Sequence, residues 1–441
     1  MSEWKETEVG KVPSDWVVTE IENLAEIIDP HPSHRAPKEV KDGFPFAGIG
    51  DINENGDILV DKARKIDCEF VKKQEDDYQI NEYSIGYGRV GTVGKVVKLK
   101  RQPYRYALSP TLAVINPLTH VNGRFVYFLI KNKAFYYSVV QCMTGTTRPA
   151  IGIQLLRKIL VAMPERKEQN EIASILSSLD SKIELLRKQN QTLENIAQTL
   201  FKRWFIDFEF PNEDGKPYKS SGGKMVDSEL AEIPERWRVI ELTELVYTLN
   251  GCSYKGTELQ PSNIALVTLK NFDRNGGFKL NGFKEFTGKY KETQIVSHGD
   301  LVVAHTDLTQ DAEVLGNPII VYQDKTYEKL IITMDLVKVI PKSTFISNAF
   351  LYYLMKDIRF KNHCMGYSNG TTVLHLSKRA IPEYLIALPI KTELLVMFSK
   401  LTSSIIDKVM SNIERIQTLT KTRDTLLPKL MSGQIRVKTD D

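Results

Sequence analysis

The chain repeats itself, and that constrains its fold more than any other feature of the sequence. Glu8, Pro13, Trp16, Ile21 and Leu24 recur 221 residues later as Glu229, Pro234, Trp237, Leu242 and Leu245. FVYFL (Phe125–Leu129) recurs as FLYYL (Phe350–Leu354), and the GTT at Gly145 recurs at Gly370, both at a shift of 225. The amphipathic stretches that follow align at 226. A shift that drifts so little describes one unit copied with few insertions. The first part of each copy, residues 1–165 and 229–390, mixes short apolar runs such as LAVI (Leu112–Ile115) and LVVA (Leu301–Ala304) with Gly, Asn and Pro punctuation. It reads as a mixed α/β globular domain. The second part, 166–210 and 391–433, reads as one long helix in each copy. A Gly- and Pro-containing linker (211–228) separates the copies, and 434–441 is a tail.

The two helices carry apolar seams. In the first, Ile172, Leu179, Leu186, Leu193 and Leu200 share one heptad position, and Leu176, Ile183, Asn190, Ala197 and Trp204 the other. The second offers Phe398, Ile405, Asn412, Leu419 and Leu426 with Thr402, Val409, Ile416, Arg423 and Leu430, a less clean seam. Seams of this kind leave water most simply by packing on each other. Run antiparallel about their midpoints, they set Trp204 against Phe398 and Asn190 against Asn412. A polar pair inside an apolar seam costs stability but fixes register. The expected architecture is therefore two globular domains separated by an antiparallel coiled coil, with a pseudo-two-fold repeat. DNA is itself locally two-fold, which suits such a reader.

Composition excludes more than it assigns. Hydrophobic content of 42% and charged content of 26% are those of a globular protein. The opening MSEWKETEVG is charged from its third residue, and no apolar run reaches the ~18–20 residues that span a bilayer. Cys68, Cys142, Cys252 and Cys364 form no CxxC pair, which fits a reducing compartment, so the expected location is the cytoplasm without membrane contact. A net charge of +4 permits a nucleic-acid partner without demanding one.

Catalytic motifs are missing. GYGRVGTVGK satisfies GxGxxG at Gly86, Gly88 and Gly91, but it runs into the alternating KVVKLK. A dinucleotide loop must open a helix, so this one reads as a glycine-rich hairpin. The seven histidines lack metal-ligand spacing, with His31 and His34 read as a surface loop, and the sequence has no HExxH, GxSxG or DPPY-like string. No catalytic or metal-binding residue and no cofactor of its own is expected.

The binding signals are better. A basic stretch runs through Lys95, Lys98, Lys100, Arg101 and Arg105 with Tyr104 and Tyr106 between, suited either to phosphates or to a solvated strand face. GTTRPAIG (Gly145–Gly152) and GTTVLHLS (Gly370–Ser377) offer hydroxyls on turns. In the second copy HTDLTQ (His305–Gln310) brings Thr and Gln, which can read base edges. The frame repeats, and so does the GTT segment, which suits positioning DNA or packing more than reading it. GYGRVGTVGK in one copy faces VAHTDLTQDAEVLG in the other, which suits two readers of unlike sequences. The candidate DNA-facing residues are Arg89, Lys95 and Arg148 in the first copy, and Lys270, Thr309, Gln310 and Thr372 in the second.

The chain resembles the specificity (S) subunits of Type I restriction–modification enzymes. The resemblance rests on the SELxEIPxxW-type opening (Ser228–Trp237, weaker at Glu8–Trp16), on AQTLFKRWFIDFEF (Ala197–Phe210) with GKPYKSSGGKM (Gly215–Met225), and on RDTLLPKLMSGQI (Arg423–Ile435). It implies two target-recognition domains on an asymmetric bipartite site in double-stranded DNA, with the helices as spacer. It also implies docking of two methyltransferase (M) subunits and of motor–nuclease (R) subunits. S-adenosylmethionine, ATP and magnesium would serve those partners. The opening of the first copy, KVPSDW, departs from the usual glycine-containing form. The alternative is a solitary DNA-binding or scaffold protein of the same fold.

Overall fold

The computed structural model describes residues 3–32, 37–53, 55–145, 149–273, 276–309, 311–370 and 373–437. It divides into two compact units, Met1–Leu185 with Arg415–Asp441, and Leu186–Glu414.

In the first unit an antiparallel sheet runs in the order Ala25–Ile28, Leu112–Pro117, Ile85–Gly88, Val96–Lys98. Its central strand carries the LAVI run and is buried from Leu112 to Asn116, as a strand covered on both faces must be. A second sheet pairs Phe44–Ala47 in parallel with Ala107–Leu108 and antiparallel with Arg64–Ile66. The helix Gly123–Lys131 begins where the Asn122 side chain accepts the N–H groups of Arg124 and Phe125, satisfying donors that the first turn leaves free. It buries every residue from Phe125 to Ile130.

The second unit repeats this order: Val246–Asn250, Leu336–Pro341, Leu301–Ala304, Pro318–Ile320. It also repeats the parallel pair, Ile264–Val267 with Lys329–Ile332. In each unit the entry and exit strands of the globular part pair: Val17–Glu20 with Leu160–Met163, and Trp237–Glu241 with Leu385–Pro389.

The long helices span Arg166–Phe201 and Glu393–Met431, and each contributes residues to both units. Within the second unit Asn412 Nδ2 donates to Asn190 Oδ1 at 2.7 Å and to Gln189 Oε1 at 3.0 Å. Trp204 and Phe398 lie with ring centroids 5.9 Å apart. Within the first unit Leu427 and Leu430 share a core with Ile172 and Leu176. There the seam position Arg423 is satisfied by Asp180 at 2.8 Å. Asn412 is fully buried and Asn190 half-buried, so Asn412→Leu alone removes the donor to Asn190 Oδ1 and should cost about 1 kcal/mol. Asn190→Leu with Asn412→Leu should instead raise the melting temperature, since apolar replacement of both partners removes the desolvation cost. Denaturant unfolding of the full chain measures both; a double variant weaker than the single one contradicts this account.

Both units close at a tryptophan. The indole N–H of the fully buried Trp16 donates to Glu168 Oε2 at 3.2 Å. Arg436 then holds Glu168 at 2.8 and 2.9 Å and Asp15 at 2.7 and 3.0 Å. In the second unit Trp237 is enclosed by Phe205, Phe208 and Phe210. There the first long helix ends in a π-turn, Lys202–Ile206. The extra residue per turn accounts for the repeat shift changing from 226 to 225, so that Phe208 (φ 59°) corresponds to Gly433 (φ 71°). Both take the left-handed conformation that ends a helix.

Candidate nucleic-acid interface

Two loops that the sequence singles out are joined in each unit. In the first, the chain turns from Ile85–Gly88 into Val96–Lys98 through a hairpin, with Gly88 N–H on Lys95 O at 2.8 Å and Gly94 N–H on Gly88 O at 3.0 Å. Gly91 and Gly94 have φ of 76° and 90°, which only glycine adopts freely. The glycines thus serve a hairpin and open no helix. Its tip is bonded to the GTTRPAIG loop: Gly91 N–H reaches Pro149 O at 3.0 Å and Ile151 N–H reaches Arg89 O at 2.9 Å, with Val90 bridging Ala150.

The second unit makes the same junction from other residues. Thr306 and Asp307 pair antiparallel with His375 and Leu374, and Leu376 N–H donates to His305 O at 2.8 Å. A third loop, missed in the sequence, follows the parallel strands. It begins with the short helices Ile49–Asp51 and Leu269–Asn271 and is closed by the bridges Ile52–Ile58 and Phe272–Phe278. The signal was there as GDINENGDI against KNFDRNGGF, at a shift of 220 that the better-matched segments overshadow.

The candidate residues fare differently. Arg89 is buried with its guanidinium 2.8 Å from Asp29. Lys95 Nζ donates to the carbonyls of Ile49 (2.7 Å) and Ile52 (2.9 Å), tying the third loop to the hairpin. Within the fold Arg89 and the half-buried Lys95 brace the loops. Lys270 is exposed on Leu269–Asn271. Arg148, Gln310 and Thr372 lie outside the described residues. Along the basic stretch, Lys98 sits over the Tyr127 ring at 5.2 Å, Lys100 pairs with Asp57, and Arg105 with Glu75 at 3.2 Å. Such exposed ion pairs contribute about 1 kcal/mol or less and can be exchanged for phosphates. His31 is no surface residue; it is buried edge-on against Phe46.

Thr309 belongs to a brace. The buried Asp307 carboxylate accepts the N–H and hydroxyl of Thr309 (2.9 and 2.8 Å) on one oxygen and the N–H groups of Val314 (2.7 Å) and Leu315 (3.1 Å) on the other. Burial pushes this carboxyl up, but the four hydrogen bonds outweigh it and hold it below the usual carboxylate range. Lys361 fills the other side of the loop, donating to Ala312 O at 2.7 Å, to Leu315 O and to Asn317 Oδ1 at 3.0 Å. Burial lowers its basicity, which Asp307 partly restores.

Among the described residues no cluster of three His, Cys, Asp or Glu could hold a metal ion, and no helix is long and apolar enough to cross a membrane.

A family model described as the Type I restriction modification DNA specificity domain matches residues 13–195 and again 234–426. The Type I restriction enzyme MjaIX specificity subunit of Methanocaldococcus jannaschii is 26% identical over 454 residues, spanning 99% of this chain and 97% of its own length. The HindI specificity subunit of Haemophilus influenzae is 27% identical over 380 residues, 75% of this chain and 81% of its own. The crystal structure of a Type I restriction–modification S subunit from M. genitalium superposes with a TM-score of 0.53 at 16% identity, covering 94% of this chain and 96% of that one. At that identity the likeness is one of fold.

Proposed function

The chain belongs to the family of Type I restriction–modification DNA specificity proteins, and from that premise we propose that each of its units reads one half of an asymmetric bipartite site in double-stranded DNA. As a specificity subunit it recognises DNA sequence and is not itself an enzyme; catalysis lies in partner subunits. One observation carries the bipartite reading: the two units build the same three-loop platform on the same strands from unlike residues, Arg89–Gly91 against Pro149–Ile151 in one and Thr306–Asp307 against Leu374–Leu376 in the other. A shared frame with different tips suits two different half-sites.

In this reading the two long helices form an antiparallel coiled coil that sets the spacing of the half-sites and docks two methyltransferase subunits, which motor–nuclease subunits then join. S-adenosylmethionine, ATP and magnesium are the partners' ligands, and the complex works in the cytoplasm. Phosphate contacts come from exposed cations such as Lys270 and the Lys98–Arg105 stretch and from the GTT segments with Arg148 and Thr372, while Thr309 and Gln310 belong to a reading loop of the second unit.

The chain co-expressed with a Type I methyltransferase subunit in a methylation-free host tests this. Sequencing should show methyladenine at one two-part motif, and none when the chain is omitted. Methylation independent of the chain, or at a single undivided motif, rejects the proposal. A chain that binds DNA but supports no methylation is instead a solitary binder.

A further inference from the structure

The residue directly past the junction of the two loops holds one structural position in both units: Thr92 after the bridge at Val90, and Leu308 after the pair at Thr306 and Asp307. Both side chains are exposed, Leu308 by 69%. A single exposed leucine is ordinary on a protein surface. This one, however, follows directly on the most heavily braced residue of its loop. The Asp307 carboxylate binds both flanks of the turn, and Lys361 ties down Ala312 and Leu315. Ala312 is held at φ 49°, a conformation that costs a non-glycine residue free energy. Thr309, Ala312, Val314 and Leu315 are thus tied down beside a side chain that covers little of the protein itself.

We propose that Leu308 reads the C5-methyl group of a thymine in the half-site bound by the second unit. The inference rests on the DNA-recognition reading above. In the major groove thymine alone offers a methyl group; cytosine carries only hydrogen at that carbon, beside its amino donor, and adenine and guanine present hydrogen-bonding edges. Leucine has no donor or acceptor, so it gains by covering the methyl and loses by desolvating an amino or carbonyl edge. It therefore discriminates by attraction and by penalty together. Thr92, with a hydroxyl, obeys a different rule at the matching position, which makes the two half-sites unlike there.

The test uses the full chain and duplexes it selects from a random pool. Each thymine of the selected site is replaced singly by deoxyuridine, which removes only the methyl group. One replacement should weaken binding by about fourfold, the worth of one buried methyl-sized group, and Leu308→Ala should abolish that sensitivity while leaving the melting temperature unchanged. Leu308→Met, which keeps an apolar contact, should preserve it. If Leu308→Ala responds to deoxyuridine as the parent does, or if no thymine is sensitive in the parent, the assignment is overturned and DNA recognition stands. If Leu308→Ala instead loses DNA unstacking reported by 2-aminopurine, with no methyl dependence, the leucine is a wedge and the assignment is again overturned. Failure to select any sequence overturns the recognition reading and this inference with it.

Discussion

Replacing Asp307 by alanine will abolish protection of one half-site in a footprint while leaving the other intact. The carboxylate accepts four hydrogen bonds in a buried place. Truncation leaves three backbone N–H groups and a hydroxyl without acceptors, at a cost of roughly 3 kcal/mol. That is enough to let the loop leave its bound geometry, though the sheet beneath it, Leu301–Ala304 between two partners, remains. Asp307→Asn should do nearly as much harm, because an amide nitrogen would face the N–H groups of Val314 and Leu315 if its oxygen faced Thr309. The pH dependence follows the same group. Its folded pKa lies below the unfolded value of ~3.9. Its stabilisation is thus complete above about pH 4 and lost as pH falls through the lower, folded value. The alanine variant should lack that acid-side loss. An unchanged footprint in both variants would show that this loop does not touch DNA.

The second large effect concerns spacing. Deleting Ile183–Gln189 from the first long helix together with Ile413–Leu419 from the second removes one heptad from each, between the Asp180–Arg423 and Asn190–Asn412 contacts. Seven residues are about 10 Å of helix, or about three base pairs of duplex. The preferred site should keep both half-sites and lose about three base pairs between them. Three base pairs also turn the duplex by nearly a third of its ~10.5-base-pair repeat, so affinity should fall by at least about tenfold. Methylation mapping reads out the spacing directly. Full-strength modification of the original spacing would mean the helices do not set it.

How far such features can be read from sequence depends on their range. Asn190 and Asn412 can be set opposite one another on paper because heptad spacing propagates along any length of helix, and the two side chains meet at 2.7 Å. The strand order is half legible: LVVA and LAVI announce strands, but not that LVVA answers to Ile85–Gly88 rather than to LAVI. At Arg89 and Lys95 the sequence marks a cation but not what claims it inside the fold. A buried cation and a phosphate-binding one look alike in sequence, and the partners that claim these two are a carboxylate 60 residues away and two carbonyl oxygens, which leave no trace in residue identity. The third loop was hidden because its repeat is one of turn geometry more than of side chains.

The clasp of Arg436 on Asp15 and Glu168 bears on how the molecule is made. The first unit needs residues from both sides of the second, Met1–Leu185 and Arg415–Asp441, whereas the second, Leu186–Glu414, is continuous. On the ribosome the earlier-made unit therefore finishes later. At ~5–20 residues per second, the stretch from Leu185 to Arg436 takes on the order of tens of seconds. Throughout that interval Ile172, Leu176 and the Trp16 pocket have none of the cover that Leu427, Leu430 and Arg436 later provide. A chain terminated before Arg415 and released should thus display a folded second unit and an open, chaperone-binding first one.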